Sequence, residues 1–155
     1  MANKEDLSLS ALSDLYSYAQ EEHIGIYAYP IEFRAAVSMR DGPRRATFFD
    51  FAKLTTTADI CWAAAHENGH HHMGAYHKVD SPYQVWGQAE YRANHWAFEH
   101  YLSPAQLLEA FEAGYTEAWQ IAEWFNLPED AVKKALHYWT ECRGVIFNKF
   151  INKAV

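Results

Sequence analysis

Apolar residues recur at helical spacing at the start of the chain. Leu7, Leu12, Leu15, Tyr16 and Ala19 mark one face of a helix over Leu7 to Glu22. Ser8 or Ser10 is positioned to cap it, and Gly25 to end it. The period then changes. Ile24-Gly25-Ile26-Tyr27-Ala28-Tyr29-Pro30 reads as a short extended segment, confined by Pro30 to a sheet edge or a strand end. Ala35 to Met39 and Ala46 to Phe49 read as two strands of a hairpin, with Asp41-Gly42-Pro43 supplying the turn. Thr55-Thr56-Thr57 offers N-caps for a helix from Ala58, with Asp59 in its first turn and Gly74 at its end. That helix is apolar nearly all round before its histidines, so it is expected at the centre of the fold.

Beyond it, Val79 to Gly87 reads as a loop that walls the cleft, because Tyr83 and Trp86 would otherwise be exposed apolar groups. Helices follow over Gln88 to Leu102 and Ala105 to Ala113, the second opened by Ser103-Pro104. Thr116 caps a helix to Phe125, Leu127-Pro128 breaks it, and Glu129 to Arg143 forms the last helix. The pattern predicts an α+β fold, mostly helical. A small antiparallel or mixed sheet of about three strands packs on the central helix, and the C-terminal half is helical. With no repeat and no linker, residues 1–155 read as a single domain.

Composition narrows the function. Half of the residues are apolar and 21% are charged, as in a globular protein. The net charge of −7 argues against direct nucleic-acid binding, which needs a basic face. No apolar run reaches the eighteen or so residues of a membrane span, and the N-terminus MANKEDLSLSALSD lacks a signal-peptide core. Cys61 and Cys142 are the two cysteines, far apart and in no metal spacing. These features lead us to expect a cytoplasmic location. The chain has 9 His, and five of them lie between His66 and His77.

His66-Glu67-Asn68-Gly69-His70 is an HExxH motif. Residues four apart share a helix face, so both imidazoles reach one ion. Zinc takes two nitrogen ligands this way, with a third protein ligand and a water. Glu67 is placed to take a proton from that water as general base. Glu90 and His77 compete for the third ligand position. Glu90 is favoured, because His77 and Gly74 each fall one residue late for the metzincin extension HExxHxxGxxH. Asn94 lies one turn beyond Glu90 and can orient a ligating imidazole by hydrogen bonding. An oxyanion stabiliser is expected opposite the metal, with His77, Tyr76, Tyr83 and Tyr91 as candidates.

The stretch HENGHHHMG, followed by Glu90-Tyr91-Arg92-Ala93-Asn94-His95-Trp96-Ala97 and on to Pro104, resembles the ImmA/IrrE family of metallopeptidases. Members show HExGH, a short loop and a pattern close to ExxANxFAxxLLxP. Gly69, Glu90, Ala93, Asn94, Ala97, Leu102 and Pro104 match it, while Trp96, Tyr101 and Ser103 depart from it. The resemblance covers residues 5 to 145. It implies a gluzincin-like site with His66, His70 and Glu90 on Zn2+ and Glu67 as base. It also implies a cytosolic protease of bacteria, phages or mobile elements that cleaves a helix-turn-helix repressor.

The remaining features read as structural. His71 and His72 point away from the metal face, and His95 and His100 are packing or surface residues. Cys61 and the indoles of Trp62, Trp119, Trp124 and Trp139 are assigned to core or interface. Thr116 to Trp139 also resembles a helix-turn-helix, but Glu129 and Asp130 offset Lys133 and Lys134. The leading expectation is a zinc endopeptidase acting on a protein, a DNA-binding repressor. The alternatives are a non-catalytic zinc-containing regulator that binds a repressor or toxin partner, and a DNA-binding module.

Overall fold

The computed structural model describes residues 4–78 and 80–147, with side chains from residue 12 onward. Helix α1 runs Lys4–Glu21. It is followed by β1 (Ile24–Ala28), β2 (Ala36–Asp41) and β3 (Arg44–Phe49). Five further α-helices follow: α2 (Thr57–Met73), α3 (Tyr83–Tyr101), α4 (Pro104–Glu112), α5 (Ala118–Phe125) and α6 (Glu129–His137). A π-helical turn over Tyr138–Cys142 extends α6. The α+β, mostly helical class is as expected.

The sheet is mixed, in the order β1-β3-β2. β2 and β3 are antiparallel with Ser38 opposite Thr47, while β1 pairs parallel to β3 with Ile26 opposite Thr47. Gly42, at φ 56, supplies the left-handed residue of the hairpin turn. β1 lies on an edge, and Pro30 falls beyond its end.

Several boundaries differ from the pattern. Ser8 and Ser10 lie inside α1, and the residue that caps it lies outside the described residues. Gly25 does not end α1. His23, at φ 55, makes that reversal, and Gly25 belongs to β1. α3 begins at Tyr83, so the second half of the expected loop is helix. Apolar residues spaced at Tyr83 and Trp86 fit a first helical turn as well as a loop, and no side chain caps that end. Thr116 is not the cap of α5. Glu117 is, in a reciprocal capping box with Gln120. Tyr16 is 54% exposed rather than buried, while Leu15 and Ala19 carry the buried face of α1.

The main core gathers Leu15, Cys61, Ala65, Trp96, Leu102, Leu107, Phe111, Ile121, Val132 and Trp139 from all six helices and the π turn. Trp139 donates its Nε1–H to the Leu102 carbonyl at 2.7 Å, joining the π turn to the end of α3. Trp62 stacks on Phe98, but Trp119 and Trp124 are exposed, on the outer faces of a short amphipathic helix. A smaller cluster of Ala36, Phe49 and Leu54 seats the sheet on α2. Ala89, Ala93 and Ala97 are buried on α3, and Ala93 meets Gly69 of α2. A Cβ at Gly69 would lie 2.5 Å from the Ala93 carbonyl oxygen, so the two helices touch backbone to backbone. No helix among the described residues is long and apolar enough to cross a membrane.

Candidate metal centre

Both ends of α2 are specified locally. Thr56 is extended, and its side chain accepts from the Asp59 N–H, while the Asp59 carboxylate sits in the first turn. The helix stops at Gly74, in the left-handed region at φ 58. The reversal brings Ala75 back over the last turn. Its N–H bonds the His70 carbonyl at 2.9 Å, and its own carbonyl accepts from His70 Nδ1 at 2.7 Å.

His66 and His70 stand one turn apart on α2, and Glu90 reaches them from α3. One donor atom from each lies within 4.8 Å of the others, an arrangement that can hold a metal ion. His66 Nε2 is 3.0 Å from Glu90 Oε2, and His70 Nε2 is 3.4 Å from Oε1. The two Nε2 atoms are 3.1 Å apart. Each ring has its Nδ1 against an acceptor, His66 against Asn94 Oδ1 at 2.8 Å and His70 against Ala75 O. Both Nδ1 atoms therefore carry hydrogens, and in the neutral rings both Nε2 lone pairs point at the same space. Two lone pairs facing each other beside a carboxylate repel unless a cation lies among them. The donor set therefore fits a divalent metal.

The charges agree with this. Burial alone would raise the Glu90 carboxyl, but the His66 and His70 rings when protonated at Nε2, together with the Arg34 guanidinium, hold it far below the usual carboxylate range. Glu90 is thus an anion at every ordinary pH. Burial acts to lower His70, yet Glu90, Glu67 and the Ala75 carbonyl together draw it upward.

Glu67 follows His66 on α2 and is buried. Its Oε2 accepts a 2.5 Å hydrogen bond from Ser38 Oγ on β2. A recess of about 20 Å³ lies beside it, lined by Arg34, Ser38, His70, Tyr76 and His77. A cavity of this size has room for one water molecule.

The structure sorts the other candidates. Asn94 orients His66, as expected. His77 comes to the centre, with Nε2 3.3 Å from Glu90 Oε1, and its Nδ1 is buried without a partner. Tyr76 lines the recess and binds His71 Nδ1 at 2.6 Å. Tyr83 and Tyr91 do not line it. Tyr83 is 91% exposed at the start of α3, and Tyr91 faces outward on the same helix. Of the two aromatics expected to wall the cleft, Trp86 packs against the centre, with its ring 4.2 Å from that of His77.

His71 is buried between Thr47 and Tyr76, as a structural residue of the sheet–helix contact. Burial, together with Arg45 and His70, lowers its pKa to about 4, so it is neutral there. His72 is exposed and meets Tyr18 at 3.2 Å. His95 packs between Tyr91 and Tyr138, and His100 stacks on Trp96. Arg34 and Ser38 were missed in the sequence. Arg34 donates to Glu90 Oε1 at 2.9 Å from a segment outside any helix or strand. No spacing relates it or Ser38 to the HExxH helix, because β2 brings Ser38 there and the connection before β2 brings Arg34. No protein-family model, curated protein or solved structure matches the chain, so the character of this centre rests on its own residues.

Proposed function

We propose that the chain is a zinc-dependent endopeptidase resembling the ImmA/IrrE family, acting in the cytoplasm on a helix-turn-helix repressor of a phage or mobile element. One observation carries this reading: two imidazole Nε2 atoms and a carboxylate converge beside a buried glutamate. His66, His70 and Glu90 would hold the metal, and two nitrogens with one oxygen form a donor set suited to zinc. When bound, zinc supplies Lewis-acid chemistry, polarising a carbonyl and making water a stronger acid.

The chain's own groups do the rest. Glu67 takes the proton of the attacking water and passes it to the leaving amine as the carbon–nitrogen bond breaks. Ser38 anchors the Glu67 carboxylate at Oε2, leaving its other oxygen for the proton. Asn94 and the Ala75 carbonyl keep each Nδ1 protonated and so keep each Nε2 available. His77 and Tyr76 line the recess, where negative charge develops on the substrate oxygen.

The test uses the purified chain and any helix-turn-helix repressor encoded beside its gene. About one zinc per chain is expected by metal analysis. Wild type should cleave the repressor, and Glu67→Gln should retain zinc without cleaving. A zinc-loaded wild type that binds the repressor and never cleaves it would favour the non-catalytic regulator. A wild type that takes up no zinc would remove the proposal altogether.

A further inference from the structure

The two oxygens of Glu90 have unequal surroundings. Oε2 faces His66 Nε2 at 3.0 Å. Oε1 receives Arg34 Nη1 at 2.9 Å and lies 3.3 Å from His77 Nε2, besides its contact with His70. A glutamate side chain has three rotatable bonds, and this one is about one-third exposed, so packing alone does not fix its carboxylate.

Arg34 is itself held with unusual care. Its backbone lies in the unpaired stretch between β1 and β2, and the β3–α2 connection pins that stretch. Lys53 Nζ donates to the carbonyls of Ile31, Glu32 and Arg34. Asp50 Oδ2 accepts from the Ile31 N–H at 3.1 Å, and the Asp50 N–H bonds the Ala35 carbonyl at 2.8 Å. The guanidinium then lies over the Trp86 ring at 4.7 Å, and His77 packs against the same indole. Trp86 is fixed in turn by its Nε1–H bond to the Lys78 carbonyl. A planar cation over an aromatic face loses little freedom when it forms a hydrogen bond. Neither the HExxH motif nor its spacing to Glu90 contains any of these groups.

We infer that Arg34, braced by Trp86, is a positioning residue: it holds Glu90 Oε1 and thereby turns Oε2 toward His66 and the metal. This rests on the metal reading of His66, His70 and Glu90. It assigns Arg34 no contact with substrate. An outer partner of a metal-binding carboxylate typically contributes a factor of about 10 to 100 in metal affinity.

The full chain is titrated with zinc against a chromophoric chelator, and separately loaded with cobalt to record its visible absorption. Arg34→Ala is expected to weaken zinc binding about 10- to 100-fold and to change the cobalt spectrum. The metal-free melting temperature checks that the fold survives. Arg34→Lys, which keeps a charge and a donor, is expected to recover part of the affinity, and it carries the test if Arg34→Ala does not fold. A variant with wild-type zinc affinity and an unchanged cobalt spectrum would overturn the role of Arg34 while leaving the metal centre standing. A wild type that binds neither zinc nor cobalt would overturn the metal reading itself, and this inference with it.

Discussion

At His66 and His70, each ring is oriented through its Nδ1, by an amide oxygen in one case and a main-chain carbonyl in the other. Replacing either histidine by alanine should abolish stoichiometric zinc, read by metal analysis after dialysis. Asn94→Ala leaves the His66 Nδ1–H without its acceptor, so zinc should bind about 10-fold more weakly, read by chelator competition. Glu67→Gln should keep zinc and lose cleavage by a factor of about 100 or more, the usual contribution of a positioned base. At this scale much was legible in the chain. His66, Glu67, His70, Glu90 and Asn94 share two helices, and helical periodicity relates residues within each of them. Arg34 and Ser38 were not legible, because periodicity says nothing about what a strand or a connection delivers to a distant helix. Tyr83 and Tyr91 were misplaced for a related reason. Their residue type suits an oxyanion site, but the helix that carries them turns them outward.

Among the elements, the contact between α2 and α3 decides whether the donors meet. Gly69 faces the Ala93 backbone with no space for a methyl group. Gly69→Ala must push the helices apart, and overpacking of this kind costs about 1 to 3 kcal/mol. Thermal melting should show the loss. Zinc affinity should fall as well, since Glu90 is on α3 and both histidines are on α2. Gly69 stood out in the sequence only through the family pattern. Its physical reason became visible once the partner helix was in place.

The last residue of α3, Tyr101, predicts a pH dependence. Burial, with Asp14 and Tyr18 nearby, pushes its phenol up to about 12. In the unfolded chain it titrates near 10. Between those values the unfolded chain releases the proton and the folded chain holds it. The stabilisation is therefore complete below about pH 10 and is lost as pH rises toward 12. Its size is at most ~3 kcal/mol. Urea titrations from pH 9 to 11.5 should show a steeper decline for wild type than for Tyr101→Phe.

For the whole molecule, one core draws on every helix. The Trp139–Leu102 hydrogen bond joins the π turn to the end of α3 in the interior. Trp139→Phe keeps most of the volume and leaves a buried carbonyl unpaired, so it should cost about 1 to 3 kcal/mol in unfolding free energy. A metal held by His66, His70 and Glu90 would couple to the entire fold by mass action. Free zinc at a thousand times its dissociation constant stabilises the folded state by about 4 kcal/mol, or roughly 10 °C in melting temperature for a domain of this size. A chelator should reverse that rise, and a melting curve indifferent to both would count against the centre. The class of the fold was legible from hydrophobic spacing, but the choice between an antiparallel and a mixed sheet was not. Parallel pairing of β1 with β3 depends on α1 and on where the β1–β2 connection travels, and neither leaves a local mark.

The Gly74 cap joins two properties that sequence comparison would treat as separate. The reversal that stops α2 also carries the Ala75 carbonyl onto His70 Nδ1. Where the helix ends therefore determines which nitrogen of a ligand is free. A residue inserted between His70 and Ala75 would leave the HExxH letters intact and still disable the centre, because the carbonyl would miss its ring. In chains built this way, an unbroken motif is a poor guide to a working one. The spacing from the second histidine to the helix stop is the better guide.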